Sequence, residues 1–320
     1  MRQLAAVLLT VLIVIPFQAS AASENLWDDA RIMDGQGASA GTIGGISIDL
    51  TNNTTEASAS SGISELPSIV EVYTATWCFN CIKTEQALDE AIRGHDVTRI
   101  HYHRFLYETL DPFGSNSTDS RWVNAYGRGS ELSSQTSVLD GMERAAPSKV
   151  FDGERMYTGV STKSNSLVTD YSTALALGSS NPFEQNNSFS LSVRGEVDSG
   201  KLSFSWSNVI SSSDEENWEV SAWLMFVEDI ANFPDGSNGK GNYSHVLHEA
   251  VNIGSGQIGS IVMDPPNPWD GDDMSVVLIV DWLTHSDYGE NSLPAPAVSV
   301  LLFMLAALVP RRTRDSKLQQ

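Results

Sequence analysis

Cysteine is almost absent: the 320-residue chain has two, Cys78 and Cys81. That excludes a framework of disulfides spread along the chain, and it excludes the usual four-ligand zinc sites built from two cysteine pairs. Basic residues are also scarce, with 19 Lys and Arg against 40 Asp and Glu and a formal net charge of −21 at pH 7. The balance is more negative still once the two ends of the chain are set aside. Such a surface repels nucleic acid and anionic lipid headgroups, so no nucleic-acid partner is expected and solubility accounts for the charge. Internal repeats are lacking too, which removes solenoid and propeller architectures.

The ends are the apolar parts. Residues 1–21 carry one charge, Arg2, then an apolar run from Leu4 to Phe17 that closes on Ala19-Ser20-Ala21. Short apolar run and small-residue end together read as a secretory signal peptide. At the other end, Leu293 to Val309 is a 17-residue stretch without a charge, followed by Arg311, Arg312, Arg314 and Lys317. Residues 293–310 read as a transmembrane or sorting helix and 311–320 as a cytoplasmic basic tail. The expectation is an exported protein, held by its C-terminus at the cell surface or the outer face of the membrane. Asn52, Asn53, Asn116, Asn186 and Asn242 fit the N-glycosylation pattern, a short motif that often occurs by chance.

Between the ends the composition changes twice. Residues 22–66, with "GQGASAGTIGG" and "TNNTTEASASSG", are rich in Gly, Ser, Thr and Asn and read as a flexible lead-in, to which "GISIDL" adds a candidate short strand. Residues 67–178 alternate in type. An apolar run from Ile69 to Ala75 predicts a strand, helical spacing follows over Cys78–Arg93, and Val97–Leu106 predicts another strand. A short helix near Arg121–Tyr126 comes next, and a hairpin turns at Asp152-Gly153. That order is α/β. Residues 182–286 shift to period two, as in "SFSLSV" and "KLSFSW", and predict an all-β sandwich.

The cysteine pair admits three readings. As a staple it closes a very small loop and constrains the unfolded chain little. As a metal clip it needs partners; Cu(I) accepts two thiolates, His101 and His103 fall on one strand face, and His103 is the candidate third ligand. As a redox centre its placement is apt. Cys78 stands at a helix start, where free N–H groups and the helix dipole stabilise a thiolate, and Cys81 stands one turn in, ready to resolve a mixed disulfide.

"TATWCFNC" resembles the signature of the thioredoxin superfamily, with Trp77 directly before the first cysteine. "AAPSKVFDG" is similar to that family's proline segment, and the resemblance implies a cis Ala146–Pro147 bond opposite the cysteines. "IHYHRF", "DPFG", "RWVNAYG" and the later "NYSHVLHEAV" resemble the outer-membrane-protein-related branch, over roughly residues 65–285. The resemblance implies a thioredoxin-like α/β domain followed by a β-sandwich. It implies attack by Cys78, resolution by Cys81, support from Trp77, substrate pairing at Ala146 and Pro147, and His103 near the thiolate. The chain departs from the pattern at Val72, where the family has a buried acid; the neighbouring Glu71 should point to the opposite face.

Other candidates read as ordinary positions. His245 and His248 are three apart in a predicted strand and should face opposite ways. Asp264, Asp270, Asp272 and Asp273 crowd one proline-stiffened loop without calcium-loop spacing. Trp206, Trp218, Trp223 and Trp282 lie in predicted strands and should be mostly core. The sequence therefore points to a membrane-tethered thiol–disulfide oxidoreductase acting on protein thiols or disulfides, with an unidentified redox partner and no cofactor or resident metal. The alternatives are a surface binding or adhesion protein on an inert scaffold, and a copper-handling protein.

Overall fold

The computed structural model describes residues 25–33, 39–137, 140–183, 186–196, 200–211, 218–255 and 257–284. The leader-like and tail segments of the sequence reading lie outside them. Among the described residues no helix is long and apolar enough to cross a membrane.

The predicted elements of the middle of the chain form. After a short β1 (Asp28–Asp29), β2 (Ser39–Leu50) and β3 (Glu56–Gly62), strand β4 (Ser68–Thr74) leads into α1 (Phe79–Ala91) and β5 (Val97–His103). Helix α2 (Asn116–Trp122) runs through a π-helical turn (Val123–Gly127) into α3 (Arg128–Ser133). Strands β6 (Ser148–Phe151) and β7 (Arg155–Thr158) form the hairpin, with Asp152 and Gly153 at φ +50° and +67° in the turn, as a tight Asp-Gly turn requires. Helix α4 (Leu167–Leu177) was not distinguished in the sequence. The remaining strands are β8 (Ser188–Gly195), β9 (Leu202–Val209), β10 (Trp218–Asn232), β11 (Asn242–Gly254), β12 (Ile258–Met263) and β13 (Met274–Thr284).

Their assembly corrects the expected fold class, a thioredoxin-like α/β domain beside a self-contained β-sandwich and a C-terminal helix. The chain is mostly strand. One mixed nine-stranded sheet, in the order β1-β7-β6-β4-β5-β11-β10-β13-β2, runs through both expected units. The junction is a parallel pairing of β11 with β5 at Val246 and His101. A four-stranded sheet, β12-β9-β8-β3, covers only the far end of the large one.

The physical reason lies in β10 and β13, which are buried on both faces. Leu224, Phe226, Val276, Leu278 and Val280 face the small sheet, in a core with Phe189, Leu191 and Phe204. The intervening Met225, Val227, Val277 and Ile279 face the other way, into a core with Tyr73, Ile100, Tyr102 and Trp122. A two-face burial demands an unbroken apolar run, and "SVVLIV" in β13 is one. A third core, under α1 and α4, gathers Val70, Val72, Leu88, Phe151, Tyr157 and Tyr171.

The segment read as a flexible lead-in is also corrected over much of its length. Strand β2 lies at the edge of the large sheet against β13, and Ile43, Ile46, Ile48 and Leu50 fill the core shared with the small sheet. Its glycines serve close approach. Gly44 has φ +151°, and a Cβ there would stand 2.8 Å from the Leu66 side chain.

Candidate functional site

Cys78 is the N-cap of α1, in extended conformation (φ −82°, ψ 98°), so the chain turns from β4 into the helix at this sulfur. The two cysteines form a disulfide. The Cys81 N–H donates to Cys78 Sγ at 3.1 Å, and the Cys78 N–H donates to the Ala75 carbonyl at 3.0 Å. A helix N-terminus directed at Cys78 favours its thiolate whenever the pair is reduced.

The sequence expectation of a reachable sulfur meets a recessed one: Cys78 is 5% exposed and Cys81 is fully buried. Ala75, Trp77 and Ala146 pack against the pair, while Phe79 and Asn80, between the cysteines, stand out in solvent. The Ala146–Pro147 bond is cis, as the resemblance implied, and Ala146 packs against the cysteine pair. Trp77 is half-buried, and its indole N–H donates to Glu108 Oε2 at 2.7 Å, tying the loop after β5 to the cysteine turn.

His103 takes a different part from the one expected of it. It is buried in β5, with Nδ1 2.8 Å from Asp111 Oδ2 and its ring edge-on to Phe113 and Tyr243. The same Asp111 oxygen accepts the Thr76 N–H at 2.8 Å. His103 is therefore linked to the turn before Cys78 through Asp111, and it makes no hydrogen bond to either cysteine among the described residues. Asp111 was not singled out from the sequence; the "DP" before Phe113 was the only signal.

Glu71 lies on the face of β4 away from α1, as the alternation of a strand requires. It is fully buried and accepts from the hydroxyls of Tyr102 and Tyr126, with the Arg121 guanidinium 3.7 Å away. Arg121 and Arg31 in turn meet Asp281 at 2.9 and 2.6 Å. Burial pushes the Asp281 carboxyl up, but Arg121 and Arg31 outweigh it and hold the group below the usual carboxylate range. Burial likewise pushes both arginines down, and Asp281 and its neighbours reverse that.

On the helix side of β4, a second charged group sits behind the cysteines, and the sequence reading missed it. Thr84 donates its hydroxyl to the Cys81 carbonyl at 2.9 Å. The fully buried Lys149, on β6, donates to Thr84 Oγ1. Glu85, next on α1, pairs with Lys240 from the β10–β11 connection at 2.5 Å and accepts from Thr74 at 3.0 Å. Burial pushes the Lys149 ammonium down to about 8, with Glu85 pulling it up and Lys240 pushing it further down. Burial pushes Glu85 up, but Lys240 and Lys149 hold it below its ordinary value. The lysine of "PSKVF" is an ordinary strand residue by sequence; only its register opposite Val72 turns it toward α1.

Other candidates fall apart as sites. His245 packs edge-on to His101, and burial pushes its pKa down to about 4, whereas His248 pairs with the buried Glu228 at 2.6 Å. Of the loop aspartates, Asp270, Asp272 and Asp273 accept backbone N–H groups of Asn232, Asn52 and Ile230, which holds strand ends in place. Trp206 and Trp282 are core, with Trp218 and Trp223 half-buried. Among the described residues no group of three or more His, Cys, Asp or Glu is placed to hold a metal ion.

No family model matches the chain, and no curated protein matches it. Two solved structures align with it. One is the crystal structure of an Agrobacterium tumefaciens protein, 14% identical, over 72% of this chain and 97% of that one, with a TM-score of 0.38. The other is HBP35 of Porphyromonas gingivalis, 14% identical, over 72% and 80% of the two chains, with a TM-score of 0.34. Likenesses at that level carry no argument about architecture or chemistry.

Proposed function

We propose that this chain is an extracytoplasmic thiol–disulfide oxidoreductase that works through Cys78 and Cys81. The observation that carries the reading is the placement of Cys78 as the N-cap of α1 with Cys81 behind it, bonded to it, and Ala146 of the cis Ala146–Pro147 bond packed alongside. In the reduced pair the helix terminus favours a Cys78 thiolate, which attacks one sulfur of a substrate disulfide. The other substrate sulfur leaves as a thiolate. Cys81 then displaces the substrate from Cys78 and closes the internal disulfide, leaving the substrate with two thiols. Run backwards, the same steps oxidise a substrate dithiol. The partners are protein thiols or disulfides and a dithiol or disulfide protein that resets the pair. The leader-like residues 1–21 and the arginine-ended apolar tail support export and retention at the outer face of the membrane.

Insulin reduction by the purified protein, fed with dithiothreitol, tests this reading. Activity is expected above the dithiothreitol background and lost in Cys78→Ser; equal rates for the two proteins would remove it.

One observation favours a second reading, a binding module on an inert scaffold: Cys78 is recessed, at 5% exposure. That reading expects iodoacetamide to label neither cysteine after incubation with excess dithiothreitol under native conditions. The redox reading expects labelling of Cys78 ahead of Cys81.

A further inference from the structure

The four-stranded sheet ends on one side in β12, and among the described residues that edge is open. Strand β12 pairs with β9 alone, from Ile258 opposite Ser207 to Met263 opposite Leu202. The Asn208 N–H donates to the Gln257 carbonyl, so Gln257 turns its backbone groups toward β9. By alternation Gly259 and Ile261 do the same, while Ile258, Ser260 and Val262 turn their N–H and C=O groups to the open side. No described strand lies beyond them. The side chains alternate as well. Ile261 and Met263 pack against the core between the sheets, whereas Ile258 and Val262 stand on the outer face, 77% and 51% exposed.

An open edge is a template for another strand, and folded proteins blunt it with charge, proline or short length. The far edge of the same sheet, β3, carries Glu56, and β1 at one edge of the large sheet has two residues. Strand β12, "IGSIVM", has neither charge nor proline; Asp264, Pro265 and Pro266 come directly after it. The chain as a whole has a net charge of −21, so two copies repel one another over most of their surface. A neutral edge is where they meet at least cost.

We propose that β12 is a self-association edge. Two copies of the chain pair β12 with β12, antiparallel, about a two-fold axis at Ser260, and their four-stranded sheets become one continuous sheet. The register follows from the strand itself. With Ser260 opposite Ser260 of the second copy, Ile258 falls opposite Val262, and Val262 opposite Ile258. These are the residues whose backbone groups face the edge, so each pair exchanges two backbone bonds. The same register sets the exposed apolar side chains of one copy against those of the other on the outer face, a cross-strand contact that stabilises a sheet. A slip of one residue would set edge-facing groups against groups that face away. A slip of two would set Ile258 or Val262 against Ser260. The strand has 6 residues, which makes a small interface, so the dimer is weak and depends on concentration.

The test is sedimentation equilibrium of the full chain in density-matched mild detergent, from about 1 to 200 µM. The average mass is expected to rise from monomer toward dimer. Ser260→Pro removes an N–H that the pairing with β9 does not use, blocks the edge, and is expected to stay monomeric. Ile258→Lys and Val262→Glu, each alone, are expected to weaken association by about tenfold or more. An equimolar mixture of those two variants is expected to regain it, because the introduced lysine of one copy faces the introduced glutamate of the other. Both changes are at exposed side chains and carry the test should the proline variant not fold. A wild type that stays monomeric throughout, with the edge left to another segment or another protein, overturns the inference. So does association that persists in the variants, or a mixture no more associated than its components.

Discussion

The two faces of β4 bury charge in different ways. On the face away from α1, Glu71 and Asp281 meet Arg121 and Arg31, with two tyrosine hydroxyls and Thr42 completing the bonds. Two acids balance two bases, and the elements joined are distant in sequence: the segment after β1, β4, α2 and β13. On the face toward α1, Glu85 pairs with Lys240, while the buried Lys149 ammonium is held by the Thr84 hydroxyl, with Glu85 and Asp89 as the acids that act on it. Balanced charge locks strands and helices together. The Lys149 ammonium, with one hydroxyl bonded to it among the described residues, ties together less of the fold.

The largest expected effect lies on the balanced face. Glu71→Ala leaves Arg121 with a poorer share of anion, leaves the Tyr102 hydroxyl without its acceptor in the core and leaves the Tyr126 hydroxyl with the Arg31 N–H alone. Urea unfolding at pH 7 is expected to show a loss of about 3–5 kcal/mol, as for other broken buried networks. A loss no larger than that of an exposed Glu→Ala change would erase the distinction between the faces.

Lys149→Met is expected to act with the opposite sign, because a single-partnered buried ammonium is costly and methionine is close to its shape. The change removes the cost of burying the ammonium, and Glu85 keeps Lys240 as its partner, so a stability at pH 7 equal to or above that of the wild type is expected. Any destabilisation beyond about 1 kcal/mol would show that the lysine supports the fold.

The same lysine sets a pH dependence. Its folded pKa, about 8, is lower than its ordinary 10.5. Between those values the unfolded chain binds the proton and the folded chain does not. Stability contributed by this group therefore rises with pH across that window, by up to about 3 kcal/mol at 1.36 kcal/mol per pKa unit. The opposite face responds at the other end of the scale. Asp281 is held below its ordinary range, so its contribution is present at neutral pH and is lost as pH falls through its folded value. Wild type minus Lys149→Met, followed by chemical unfolding at several pH values, is expected to isolate the alkaline window and leave the acid side unchanged.

The smallest effect is expected at the rim. Trp77→Phe removes the hydrogen bond to Glu108 while keeping an aromatic ring beside the cysteines. Stability should fall by about 0.5–1.5 kcal/mol, and most of that should vanish in the Glu108→Ala background, which has no acceptor for the indole.

Much of the site was legible in the sequence, and less of the architecture. Cys78, Cys81 and Trp77 are adjacent in the chain, and a strand-to-helix turn is a local feature. The period-two runs "SFSLSV" and "KLSFSW" mark β8 and β9 because one face of each is solvent-facing or only half-covered. The union of the two expected units was not read, although its trace is present: "SVVLIV" fails to alternate because β13 is covered on both sides. Glycine misled the reading of β2, where Gly44 and Gly45 serve close contacts with Leu66 and with the Leu278 carbonyl, not freedom of the chain. Lys149, Glu85 and Lys240 were invisible because they come from β6, α1 and a distant connection, and only strand register brings them together.

The most direct measurement is of the cysteine pair itself in the intact protein. Equilibration across a graded series of dithiothreitol ratios, quenched by acid and alkylated, reports how much of the Cys78–Cys81 bond survives at each ratio. A single two-electron transition, with the first alkylation on Cys78, is the predicted result. A bond that persists unchanged through the strongest reducing ratio, in protein that remains folded, would contradict the account.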